Sequence, residues 1–505
     1  MSDKIKYPAL KLLIFQLLII SQISAQDISQ QFDPQETALR QAMWSISAQS
    51  CQQHVDVLAS EKFSGRRTGS EGFNDAANYI ADHFAAIGLK PAFSNSGFFQ
   101  KFYVTPNIIG SGSELALEIL IQSKSSIDTL WINYQLETDF LPSGFSAPID
   151  KLAQAVFVGY GLTSEKNDWD DYRGVDVKGK VVVVLHGTPP LENVDWNDAF
   201  RIRNKANNAK QHGAAAFISI GTPIGMFSAK QVIPGLVITE RVANEFLKGS
   251  GLTIEKLKQQ IAQRLKPVSF QFPNRMRLKI NAVLEPETET MNIVGILPGS
   301  DAALSKECIV IGAHADHLGS IGTFTFYGAN DNASGTAVVM AVAEAFSKLE
   351  IAPRRSIVFA AFSGEEMGLL GSRHYVQNPV FPIDRTKAMI NLDMVGSGRE
   401  GIMIVGGHTF PEFANMFEKY NESFGFTAIY RRWTSKNSDH WPFHEKGTPS
   451  VFLYTMGGLP TYHSTNDRPE TLEAEVMEIV GRLAFRVIAE LADLDKINFS
   501  AVSSD

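Results

Sequence analysis

Cysteine is almost missing from this chain: two thiols, Cys51 and Cys308, in 505 residues. So few exclude a disulfide-rich scaffold, and no disulfide is inferred from them. Cys308 opens the run "CIVIGAH", where a buried thiol packs as a small hydrophobe. Positive charge is also short, with 46 Lys and Arg against 54 Asp and Glu, a net charge of −8. That leaves no electrostatic footprint for nucleic acid or an anionic membrane surface. No internal repeat or low-complexity stretch interrupts the chain. With 44% hydrophobic and 20% charged residues it reads as an ordinary globular protein. At about 150 residues per domain, its length allows two or three domains.

Near the start, Lys4, Lys6 and Lys11 precede residues 12–20, which are apolar but for Gln16. This run is well short of the ~20 residues that span a bilayer. "SQISA" (21–25) then supplies small residues, Ser24 and Ala25, for a cut after Ala25, so 1–25 reads as a secretory signal peptide. No Cys follows the cut to carry a lipid, so the expected product is secreted or periplasmic, without a stable membrane anchor.

Phe73, Ala77, Ile80, Phe84 and Ile87 recur at steps of four and three, predicting an amphipathic helix ended by Gly88. Before it, "FSGRRTGSEG" (63–72) reads as a polar, glycine-rich turn. From about 109 to 283 the texture changes. "AVFVGYG", "GKVVVVLHG" and "AAAFISIG" are short, glycine-bounded apolar runs suited to buried strands, with helical stretches at 200–212, 240–248 and 253–264. This stretch has no cluster of metal-ligating residues and is expected to be a smaller, β-rich α/β insert. Beyond Met291, strand and helix signals alternate again, with helices at 333–349 and 469–491. The alternation predicts a three-layer α/β/α sandwich around a mixed, mostly parallel sheet. The implied division is signal 1–25, main domain 26–108, insert 109–283 and main domain 284–505.

In open sheets of this kind ligands bind beyond the carboxyl ends of the strands. Four predicted strands end in polar residues: "CIVIGAH" in His314, "SIVFAAFSG" in Glu365 and Glu366, "AMINLD" in Asp393, and "SVFLYTMGG" leads to His463. "GANDNASG" adds Asp331 ahead of a helix. Two imidazoles and three carboxylates exceed the three protein ligands of a single catalytic zinc, and suit two divalent metals about 3.5–4 Å apart. The nitrogen and oxygen set favours zinc. On an extended segment Asp316 leaves the same face as His314, where its carboxylate can hold the imidazole N–H. Glu365 and Glu366 would point to opposite sides, one to a metal and the other free as a base.

The pieces "AHADHLG", "GANDNASG", "FSGEEMGLLGS", "NLDMVG", "SDHWPF" and "YHSTND", in this order, resemble the di-zinc aminopeptidase family that includes secreted bacterial leucyl aminopeptidases. "LASEKFSGRRTGSEG" is similar to an early segment of the same family. "VFVGYGL" and "DYRGVDVKGKVVVV" resemble the protease-associated domain often inserted in such enzymes. The resemblance implies two zinc ions per chain, one held by His314 and Asp393, the other by Glu366 and His463, with Asp331 bridging them. It implies Glu365 as general base acting on a hydroxide that bridges the metals, Asp316 as the residue that orients His314, and Tyr462 as oxyanion donor. It also marks Asp331–Asn332 as a candidate cis peptide.

The expected activity is hydrolysis of N-terminal residues from peptides. A carboxypeptidase on the same fold would need a cation for the substrate carboxylate, with Arg431 or Arg432 nearest. A glutaminyl cyclase would need only one zinc. A catalytically dead, receptor-like binding protein would be expected to have lost ligands, and here the set is whole. Asp439 of "SDH" fits a supporting role and a turn cap equally. Phe324, Phe326 and Tyr327 suit a pocket wall or a core equally. His317, His374, His408 and His444 read as surface residues.

Overall fold

The computed structural model describes residues 34–122, 127–192, 194, 196–424 and 428–503. The suggested signal peptide lies outside them.

The predicted amphipathic helix forms as Glu71–Ala86, capped by the Ser70 hydroxyl, which accepts the Phe73 N–H. Gly88, at φ +81, turns the chain out of it. The helix packs on a nine-stranded sheet whose centre is four parallel strands. Cys308–His314 lies between Ser356–Phe362 and Thr386–Leu392, and Ser450–Met456 follows. Antiparallel strands Thr288–Leu297 and Gly401–Val405 flank the four.

Alternation along Cys308–His314 makes the layers. Ile309, Ile311 and Ala313 face one core with helices Ala48–Leu58, Glu71–Ala86, Gly335–Ser347 and Ala474–Asp493. Cys308 and Val310 face another with Phe362, Tyr375 and Phe443. Both sides are covered, so the strand reads as one apolar run. The fold is the α/β sandwich expected, with a mixed, largely parallel sheet. Cys51 and Cys308 are buried free thiols.

A second, eight-stranded sheet draws every strand from residues 114–280. Val181–Leu185 and Ala216–Ile220 form its parallel centre with Ile149–Val158. The helices of this module are Ile202–Gln211, Glu240–Phe246 and Ile254–Arg264, the last two capped by Thr239 and Thr253. A short ladder, Asn107–Ile109 with Ala282–Leu284, closes the module where the chain enters and leaves it. Its core also takes in Leu318, Ile321 and Phe326, which follow the His314 strand. Phe326 is therefore core, Phe324 is half-exposed, and Tyr327 packs against the main core beneath the Arg468 guanidinium. Among the described residues no helix is long and apolar enough to cross a membrane.

Candidate metal centre

His314 ends its strand with Nε2 facing two carboxylates, Asp331 Oδ1 at 3.2 Å and Asp393 Oδ1 at 3.4 Å. His463 Nε2 faces Asp331 Oδ2 at 3.1 Å and Glu366 Oε2 at 3.2 Å. Each oxygen of Asp331 thus belongs to a different histidine–carboxylate set. All five side chains border one cavity of about 280 Å³, together with Glu365, Met394, Arg432, Asn437, Phe452, Tyr454 and Tyr462. Its apolar wall is therefore Met394 and Phe452, with Tyr454 and Tyr462, and not the 324–327 aromatics.

Local structure aims each group. Asn330 and Asp331 donate their N–H groups to Asp467 at 2.8 and 3.0 Å, and the Asp331–Asn332 peptide is cis. The Ser438 hydroxyl donates to Asp393 Oδ2 at 2.6 Å. His314 Nδ1 donates to the Asp316 backbone carbonyl at 3.0 Å, while the nearest Asp316 carboxylate oxygen is 3.8 Å away. The carboxylate does not hold the imidazole as the strand geometry suggested, because the strand stops at His314 and the chain turns. It accepts instead the Thr68 hydroxyl at 2.8 Å and the Glu365 N–H at 3.2 Å.

The Glu365–Glu366 pair separates for a related reason. Its strand ends at Phe362, and Gly364 at φ +72 starts a turn, so a turn and not strand alternation parts the side chains. Glu366 is gripped on both oxygens, by His463 and by His317 Nδ1 at 2.8 Å. The Glu365 carboxylate has no hydrogen bond among the described residues and lies in the cavity wall. His317 corrects the surface reading: it is fully buried, because its loop folds inward behind Glu366. His408 is exposed, and His374 and His444 are half-buried.

Two supporting residues escaped the sequence reading. Arg66, in the "turn" 63–72, is buried and donates to the carbonyls of Leu58, Ala315, Tyr327 and Gly328. Asp467 is the other. Both sit in polar strings typical of exposed loops, and neither has periodicity to betray burial. Asp439, also buried, bonds the Ser372 hydroxyl and caps no helix through its side chain. Arg431 is paired with Glu418 at 2.6 Å, outside the cavity wall that Arg432 joins.

The electrostatics follow from crowding. Burial, with Glu366, Asp439 and Asp393 nearby, lifts Glu365 well above the usual carboxylate range despite His314. Burial alone would raise Glu366 too, but His463 and His317 hold it at about 2. Burial would depress His314 and His463, yet their facing carboxylates raise both well above the usual imidazole range. Both rings spend Nδ1 on a backbone carbonyl and turn Nε2 to paired carboxylate oxygens, so each oxygen pair needs a proton or a cation between it and the ring. A divalent metal meets the same need. The donor set fits zinc, which takes imidazole nitrogen and carboxylate oxygen.

Fold and site together define a peptidase carrying a second, protease-associated module. Residues 292–488 match peptidase family M28 and residues 150–246 match the PA domain. The chain belongs to family M28, with the PA domain inserted. It is 25% identical over 408 residues to aminopeptidase YwaD of Bacillus subtilis, covering 79% of this chain and 76% of that one. It is 35% identical over 362 residues to an aminopeptidase of Pseudomonas aeruginosa, covering 70% of this chain and 58% of that longer relative. The aminopeptidase structure from Aneurinibacillus sp. strain AM-1 shares the fold, with a TM-score of 0.65, 20% identity, and 92% and 98% of the two chains covered.

Proposed function

We propose that this protein is a secreted or periplasmic zinc aminopeptidase holding two metal ions, with its PA module spanning 109–283. The observation that carries the reading is Asp331, whose two oxygens face different histidines at 3.2 and 3.1 Å. His314, Asp331 and Asp393 would hold one zinc, and Asp331, Glu366 and His463 the other. When bound, the metals supply Lewis acidity for the scissile carbonyl, a more acidic water and an anchor for the substrate amine.

Glu365 is the proton carrier. Its carboxylate borders the cavity and its raised pKa suits taking a proton from water and returning it to the leaving amine, a role worth ~10²–10⁴-fold. Asp316 fixes the backbone of that base, and Thr68 fixes Asp316. Tyr462 stacks on His463 with ring centroids 3.8 Å apart and lines the cavity, where its hydroxyl can donate to the developing oxyanion. The names of the Bacillus subtilis and Pseudomonas aeruginosa relatives support the aminopeptidase assignment.

Arg432 favours a second reading. It lines the cavity, hydrogen-bonds only neutral groups, Tyr454 and Ser435, and has no carboxylate partner among the described residues. A cation so placed suits a substrate carboxylate, as a carboxypeptidase requires. A panel of aminoacyl substrates and their N-acetylated counterparts separates the two. Cleavage of free-amine substrates alone is expected; turnover of N-blocked peptides with a free carboxylate would replace the first reading with the second.

A further inference from the structure

Away from the cavity, three helices bring together His54, His83 and Glu344, with one ligand-type atom from each within 4.8 Å of the others. His54 lies on Ala48–Leu58, His83 on Glu71–Ala86 and Glu344 on Gly335–Ser347. All three are half-buried, so solvent reaches the cluster.

Each histidine already has one nitrogen engaged. His54 Nδ1 is 2.8 Å from the Tyr79 hydroxyl. The backbone of Met340 hydrogen-bonds the His83 ring, whose Nε2 is buried with no hydrogen-bond partner. Tyr79 and His83 are one turn apart on their helix, and so are Met340 and Glu344 on theirs. The residues that orient the rings therefore share helix faces with the residues that would bind. This is the arrangement in which an imidazole is fixed through one nitrogen and leaves the other for a metal. One Glu344 oxygen pairs with Lys348 at 3.0 Å, and its second is free to turn inward. The rings meet edge to face with centroids 4.7 Å apart. Burial, and His83 itself, depress His54 to about 4, so it is a neutral donor at working pH.

We propose that His54, His83 and Glu344 form a further divalent-metal site, of the zinc class, separate from the cavity. Two imidazoles and one carboxylate leave the fourth tetrahedral position to water. The ion would tie residues 54 and 83 to residue 344, closing a loop of nearly 300 residues in a chain whose two cysteines are free. Its role is then structural, holding the first helices on the main core.

Zinc per chain decides the matter. Wild type, His83→Ala, His54→Gln and the milder Glu344→Gln are equilibrated in buffered micromolar zinc, desalted and counted by mass spectrometry. Each variant is expected to lose one zinc while turnover is unchanged. The wild-type melting temperature should rise with zinc by more than that of the variants. Because the readout is a difference, it holds whatever number of ions the catalytic cavity binds. Equal zinc in wild type and in the variants that fold would overturn the site.

Discussion

Gly225 and His463 exchange two hydrogen bonds. The Gly225 N–H donates to the His463 carbonyl, and the His463 imidazole donates from Nδ1 to the Gly225 carbonyl, each at 2.8 Å. Gly225 belongs to the stretch between strands Ala216–Ile220 and Gly235–Ile238 of the second module. Glu137, also of that module, accepts a hydrogen bond from Thr465. The inserted module therefore orients one of the proposed metal ligands itself.

A Cβ at residue 225 would come within 2.6 Å of Leu318 Cδ1 and 2.8 Å of Phe326 Cε1, so in Gly225→Ala either the loop or these buried side chains must shift, and a loop shift disturbs the contact with His463. Losing such an orienting contact typically costs ~10–100-fold in metal affinity or activity. Competition with a zinc-sensitive dye, alongside kcat/KM, measures both. Wild-type values for both would show that the contact is incidental.

Glu365→Gln keeps size and hydrogen bonding but removes the base. Zinc content should stay, and kcat should fall ~10²-fold or more. Glu366→Gln removes the charge and leaves one acceptor oxygen where His463 and His317 each face one, so it should lose zinc and recover partly in excess metal. Metal analysis with steady-state rates distinguishes them, and the opposite pattern would exchange the two roles.

Chelation should abolish activity, and titration back should show a break at two zinc equivalents in the His83→Ala background, where the further site is silenced. A break at one would leave Asp331 without a bridging role.

Arg66→Lys should damage the site from behind. One ammonium cannot reach four carbonyls that a planar guanidinium spans, and each buried carbonyl left unmatched costs about 1–3 kcal/mol. A lower denaturant midpoint with reduced turnover is expected; a silent variant would mean that the carbonyls find other donors.

His440 is fully buried, and burial first, then His444, depresses it to about 3. The folded chain refuses a proton that the unfolded chain takes up below about pH 6.5. Its contribution is intact above that value and is lost as pH falls towards 3. At pH 5 the loss is about 2 kcal/mol, so His440→Leu should lose less stability than wild type between pH 7 and 5. Urea midpoints at the two pH values test this, and equal losses would contradict it.

Strand ends and ligand types were legible in the chain alone. A strand buried on both faces must be written in apolar residues, so "CIVIGAH" and "SIVFAAFSG" announce where they stop and what stands there. The helix 71–86 followed from apolar spacing and its glycine stop for the same local reason. Three things depended on the assembled fold. Strand alternation pointed to the Asp316 carboxylate as partner of His314, but the turn after His314 sends that carboxylate to Thr68 and Glu365. His317 read as a surface residue and Arg66 lay unremarked in a polar turn, since nothing local shows that other segments will close over them. The contact of Gly225 with His463 spans 238 residues, and no periodicity encodes it. Sequence pattern reports how a segment meets solvent or core; which distant segments share a hydrogen bond is decided only when the sheets and their connecting loops pack.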